Sequence, residues 1–217
     1  AVTPATVSGF ELLYATPGSG DISEIAGHLL LRIKLHGPHD LVVSFLADTE
    51  AGKAKETNAP VVVQEHCRGR NWLNLVQAPD PAGESALASI RQSLKGLAGG
   101  FAVTMDVQTL AHTLKTYTVE QDRTIWRFEL VLTDDLKRSL LAHLERVQNQ
   151  PGPPYYFFSQ NCGSVLVQVL GEGIRDNYVA TFHPWVSPPH SLVALLIRRG
   201  IAKPVAPHHP SFRQLGF

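Results

Sequence analysis

Cysteine is scarce in this chain, with only Cys67 and Cys162 among 217 residues, so a disulfide-stapled scaffold is excluded. Excess charge of one sign is also missing. Lys+Arg and Asp+Glu stand at 19 each, and a formal net charge of zero gives no electrostatic footprint for nucleic acid. No uninterrupted apolar run reaches the length that spans a bilayer. The opening Ala1-Val2-Thr3-Pro4 carries neither an initiator methionine nor a basic-plus-apolar signal, which fits a processed secreted protein or a segment excised from a longer one. Internal repeats, heptads and low-complexity stretches are absent too. What remains is an ordinary globular composition, 44% hydrophobic and 18% charged, enough for the core of one domain over residues 1–217.

The richest stretch is Tyr155-Tyr156-Phe157-Phe158-Ser159-Gln160-Asn161-Cys162, which follows the break Pro151-Gly152-Pro153-Pro154 and opens into the apolar segment Gly163 to Leu170. This pattern reads as a nucleophile at a helix start. Asn161 and Ser159 are good cap residues, and a helix N-terminus lowers a thiol pKa because its free N–H groups favour the anion. Such a thiol needs a histidine to take its proton. His28 offers one, since it follows Gly27 and begins the apolar run Leu29-Leu30-Leu31 at the mouth of a strand. The orienting group for that histidine is left open among Ser44, Asp48 and His36. The backbone N–H of Cys162, with Asn161, Gln160 or Tyr156, could supply an oxyanion site. Against the nucleophile stand two plainer readings of Cys162, a disulfide with Cys67 and a buried structural thiol. Asn161 is equally well read as a simple helix cap. The aromatic run Tyr155 to Phe158 reads as core or as the lining of an acyl-chain pocket.

Hydrophobic periodicity and turn signals predict short strands over Phe10 to Ala15, Gly27 to Leu35 and Leu41 to Ala47, the last two joined by the turn His36-Gly37-Pro38-His39-Asp40. A turn covers Thr16 to Asp21. Further strands are expected at Val61 to Val63, Trp72 to Val76, Phe101 to Met105 and, by clean alternation, Arg123 to Leu132, while Val107 to Thr116 is ambiguous. Helices are expected over Gly83 to Leu97 and from a Thr133 cap to Val147. A further helix follows Cys162, and a last one runs over Leu192 to Arg199, started by Ser187-Pro188-Pro189-His190-Ser191 and ended by Gly200. Separate strands and helices argue an α+β fold, an antiparallel sheet packed against helices with the nucleophile at a helix N-terminus. Histidine first and cysteine late is the order of circularly permuted papain-like enzymes, such as the lecithin:retinol acyltransferase family, which the chain resembles in this respect. The clusters His36-His39 and His208-His209 lack a third ligand at a convincing spacing, so no metal is expected. Gly18-Ser19-Gly20 is too short for a phosphate loop, and no cofactor is implied.

Several blocks in order resemble the bacterial periplasmic domain family typified by the N-terminal periplasmic domain of Lnb, a lipoprotein N-acyltransferase. They are Leu13-Tyr14 with Pro17-Gly18, Gly27-His28 with Leu31-Arg32, and Lys95 to Gly100. Tyr117, Glu120 and Arg123 follow, leading into Ile125-Trp126, Glu129-Leu130 and Leu132-Thr133, and then Tyr156-Phe157-Phe158 with Asn161-Cys162 and Ser187-Pro188. Ser44-Phe45-Leu46, where the family has a glycine after the phenylalanine, and Gly163-Ser164 after the cysteine depart from it. The resemblance implies His28 and Cys162 as the catalytic pair, a periplasmic or secreted location in the cell envelope, and acyl transfer from a membrane phospholipid to the N-terminal amine of a lipoprotein. Lipid, lipoprotein or peptide would then be the partner, with peripheral membrane contact and no nucleic acid. Two alternatives stand beside it: a thiol amidase or peptidase acting on envelope peptides or peptidoglycan, and a non-catalytic periplasmic binding module in which Cys162 pairs with Cys67.

Overall fold

The computed structural model describes residues 3–18, 27–37, 39–48, 101–156, 161–182 and 188–210. The strands expected at 61–63 and 72–76, the helix expected at 83–97, and Cys67, Ser159, Gln160 and Ser187 lie outside the described residues, as do residues 19–21 of the turn expected at 16–21.

The alternating segments become strands. β1 (Val7–Ala15), β2 (His28–Leu35) and β3 (Leu41–Asp48) form an antiparallel meander, and β4 (Phe101–Thr109) pairs with β3 along its whole length, from Leu41 opposite Thr109 to Asp48 opposite Ala102. β5 (Ile125–Leu130) lies on the other side of β1. Two strands were not expected from the sequence: the short β6 (Pro154–Tyr155), paired to the start of β4, and β7 (Ala202–His208), paired to β5. The spatial order is β6-β4-β3-β2-β1-β5-β7, and every recorded pairing is antiparallel. β7 contains Pro204 and Pro207, which cannot donate to a ladder and are tolerated because the strand lies at the sheet edge.

The ambiguous segment after Val107 resolves into three conformations. β4 continues to Thr109, whose side chain accepts from the His112 backbone N–H and so starts the short helix α1 (Leu110–Leu114). A π-helical stretch (Lys115–Glu120) continues it, marked by the Gln121 N–H donating to the Thr116 carbonyl five residues back. The remaining helices are α2 (Asp134–Gln148), α3 (Cys162–Gly173), the single turn α4 (Asn177–Ala180) and α5 (Pro189–Arg198). Thr133 caps α2 as expected, accepting from Leu136 N–H.

Burial follows the pleat. One face of the sheet presents Leu12, Leu29, Leu31, Val43 and Phe45 to Leu140 and Leu144 of α2, Leu166 and Leu170 of α3, and Leu192 and Leu196 of α5. The opposite face presents Leu13, Ala15, Leu30, Val42 and Ile125 to Leu110, Leu114 and Tyr117 of the α1 and π-helical segment. The architecture is thus α+β, with an antiparallel sheet and separate helices. Gly171 lets α3 meet α4, since a Cβ there would lie 2.3 Å from the Ala180 backbone nitrogen.

Candidate active site

The site is assembled where β2 begins and α3 begins. Gly27 precedes β2 with a φ of 77°, and a Cβ at that position would lie 2.6 Å from the Tyr14 ring and 2.7 Å from the Ala15 carbonyl oxygen, so only glycine fits. His28 follows as the first residue of β2, directly across from Ala15 of β1. α3 packs across β2 and β3 through its buried face, which carries its first turn to the end of the sheet where His28 stands. Asn161 caps that turn: its side-chain oxygen accepts from Gly163 N–H at 3.0 Å and Ser164 N–H at 3.1 Å. Cys162 comes next, and its Sγ lies 3.2 Å from Nδ1 of His28.

The charge states follow from where the pair sits. Burial, assisted by the Arg123 cation, pushes the His28 imidazole down to about 3. Burial pushes the Cys162 thiol up to about 11, against the backbone N–H groups of Gly163, Leu29 and Cys162 itself and the Arg123 charge. The expectation that the helix terminus would lower the thiol pKa is therefore corrected: the terminus acts in that direction, but desolvation is larger. At neutral pH the resting pair is a thiol beside a neutral imidazole.

Among the residues nominated as orienting groups, Ser44 is buried on β3 opposite Asp106 of β4. Leu31 pairs with Val43 on one face, so by alternation the next residue of β3, Ser44, points to the opposite face, the one that carries His28. Asp48 ends β3 opposite Ala102, and its side chain lies outside the described residues. His36 lies in the exposed turn beyond the far end of β2 and is removed from the site. Asn161 is a helix cap, with its oxygen committed to two N–H groups. Tyr156 is exposed, whereas the hydroxyl of Tyr155 is held protonated by burial and by the charge of a Cys162 thiolate.

The sequence reading assigned no site role to Tyr117 and Arg123, although both stand in the blocks that carried the resemblance. The Tyr117 ring stacks on His28, with centroids 6.2 Å apart and planes inclined by 15°. The Arg123 guanidinium lies over the other partner of that stack, 5.0 Å from the Tyr117 centroid. No periodic or spacing signal links positions 28, 117, 123 and 162, because the contacts come only from the sheet order.

Cys162 is a free thiol. Among the described residues no three His, Cys, Asp or Glu side chains cluster as metal ligands, and no helix is long and apolar enough to cross a membrane. The family model described as the Lnb N-terminal periplasmic domain matches residues 85–196, a span that holds Tyr117, Arg123 and Cys162 but not His28. No curated protein and no solved structure matches the chain.

Proposed function

The chain belongs to the family of Lnb N-terminal periplasmic domains, and on that premise we propose that it is a cysteine-dependent acyl-handling enzyme of the cell envelope, with Cys162 as nucleophile and His28 as its base. As a member of a periplasmic family it is a periplasmic domain. The observation that carries the activity is the 3.2 Å approach of the Cys162 sulfur to His28 Nδ1 at the start of a capped helix. That a histidine strand comes before a cysteine helix supports a permuted papain-like arrangement.

The substrate in this reading is a phospholipid ester and the acceptor an uncharged amine at the N-terminus of a lipoprotein. Attack of Sγ on the ester carbonyl forms the C–S bond as Nδ1 takes the thiol proton. Collapse of the tetrahedral adduct breaks the C–O bond, and Nδ1–H returns the proton to the departing alcohol. The acceptor amine then attacks the thioester and gives its proton to Nδ1. The C–S bond breaks, and Sγ recovers a proton. In this reading the backbone N–H of Cys162 donates to the carbonyl oxygen as negative charge develops on it, since those of Gly163 and Ser164 are held by Asn161. Because the resting pair is neutral, proton transfer accompanies attack instead of preceding it.

The test is intact-mass spectrometry of the protein after incubation with vesicles of phosphatidylethanolamine and phosphatidylglycerol. A fatty-acyl adduct is expected on Cys162, absent in Cys162→Ser and formed about 100-fold more slowly in His28→Ala. Cleavage of an envelope peptide with no acyl adduct would overturn acyl transfer in favour of the amidase or peptidase reading. Inertness toward both substrates, together with a Cys162 that alkylates no faster than an ordinary thiol, would leave a binding module.

A further inference from the structure

The imidazole of His28 is one end of a three-part stack. Its ring lies against Tyr117 at 6.2 Å and 15°, and Tyr117 in turn lies 5.0 Å beneath the Arg123 guanidinium. These are favourable geometries for ring stacking and for a cation over an aromatic face. Every part is fixed from elsewhere in the fold. Tyr117 is buried in the π-helical stretch, and its carbonyl accepts from the Arg123 backbone N–H at 2.8 Å. Arg123 is 2% exposed, donates from Nε to the Thr16 carbonyl, from Nη1 to Gln121 Oε1 at 3.0 Å and from Nη2 to the Ala15 carbonyl at 3.3 Å. Ala15 is the residue directly across the ladder from His28. One guanidinium therefore ties down the β1 backbone that pairs with the histidine and caps the ring against which the histidine lies.

We propose that Tyr117 and Arg123 are the positioning residues of the thiol–imidazole pair. Tyr117 fixes the imidazole plane so that Nδ1 faces Sγ, and the Arg123 guanidinium, bonded to the β1 backbone across from His28, holds the Tyr117 ring in place. This inference rests on the thiol-enzyme reading of the pair. Among the described residues, the groups recorded near the imidazole include Cys162 from α3, Tyr117 and Arg123, and Tyr14 from β1, whose hydroxyl lies against Gly27. Arg123 is the one cation in this set, and it acts in the same direction on both members of the pair: it disfavours the imidazolium and favours the thiolate.

That shared direction gives a readout that a merely structural role does not move. The rate of Cys162 alkylation by iodoacetamide, followed from about pH 2.5 to 12, has an acid limb set by the imidazole and an alkaline limb set by the thiol. Arg123→Met is expected to carry both limbs to higher pH by about one unit, while Arg123→Lys holds them near their native positions. Tyr117→Leu is expected to slow alkylation about tenfold with little movement of the limbs, and Tyr117→Phe to recover most of that loss. In the unsubstituted protein, nitrogen NMR of His28 should show a neutral ring at pH 5, a measurement that needs no variant to fold. A native His28 that titrates near 6.5, or limbs unmoved in Arg123→Met with only the melting temperature lowered, would overturn the inference. If native alkylation is fast and His28-dependent in that event, the thiol-enzyme reading survives it. Alkylation indifferent to His28→Ala would sink both.

Discussion

A sulfur 3.2 Å from an imidazole nitrogen can share its proton in two ways, as an ion pair or as two neutral groups, and burial at this site selects the neutral pair. The choice has a thermodynamic signature. His28 is held at about 3 in the fold against 6.5 in the open chain, so between those values the unfolded chain binds a proton that the folded one refuses. Stability must therefore fall as pH drops below about 6.5, with a limiting slope of about 1.4 kcal/mol per unit. Cys162 is held at about 11 against 9.0, so above pH 9 the unfolded chain releases a proton that the folded one keeps, and stability falls again. Urea midpoints measured from pH 4 to 10 should trace a plateau between these limbs. Because His143 and His208 are also held below the usual imidazole range by burial, the acid limb is shared. The His28 contribution is the part that His28→Gln removes, and Cys162→Ser should flatten the alkaline limb. An acid limb identical in native protein and His28→Gln would refute the neutral-pair assignment.

On the scale of elements, the start of α3 does two jobs with one side chain. Asn161 satisfies two of the N–H groups that a helix start leaves without intrahelical partners, and by doing so it fixes the turn that carries Cys162. Asn161→Ala should cost about 1 kcal/mol by chemical denaturation. Asn161→Asp keeps an accepting oxygen and should recover that stability, yet its negative charge beside the sulfur should slow Cys162 alkylation several-fold. Stability and reactivity moving together in Asn161→Asp would contradict this separation. The cap was legible in the sequence because it is local: an Asx residue, then an apolar run. The strands β1, β2, β3 and β5 and the Thr133 cap were legible for the same reason, since alternation and capping are short-range patterns. β7 was hidden by Pro204 and Pro207, which a strand carries only at an edge, and edges are assigned by the sheet and not by the segment. Tyr117 was hidden twice, by an irregular π-helical turn within a stretch of mixed periodicity and by a stacking partner far away in the chain.

The sheet as a whole separates chemistry from anchorage on one face. His28, Tyr117 and Arg123 occupy the end where β2 starts, and a buried charge cluster centred on Glu11 lies further along the same face. Glu11 is 2% exposed and faces Arg32 directly across the ladder, accepting from its Nη1 at 2.8 Å. Arg127 of β5 reaches it with two bonds of 3.0 and 2.8 Å, and Lys34 adds a third cation at 3.4 Å. Arg32 is anchored in turn by Asp40, whose other oxygen accepts from the Leu35 N–H and holds the β2 to β3 turn. Burial alone would raise the Glu11 carboxyl, but the Arg127 hydrogen bond and the charges of Arg32 and Arg127 together outweigh it and leave it below its usual value. Its contribution is therefore complete above the ordinary carboxylate range and is lost as pH falls through the lowered value. Glu11→Gln removes the common partner of three cations on two strands, Arg32 and Lys34 of β2 and Arg127 of β5, and should destabilise by about 3 to 5 kcal/mol near neutral pH. In a double-mutant cycle, adding Arg127→Met should return part of that loss, because one of the stranded charges is then gone. Cys162 alkylation in whatever fraction remains folded should stay near the native rate, since the cluster touches none of the residues around the sulfur. Full additivity in the cycle would mean that Glu11 and Arg127 do not act as one unit. A collapse of alkylation in folded Glu11→Gln would mean that the two ends of the sheet are coupled.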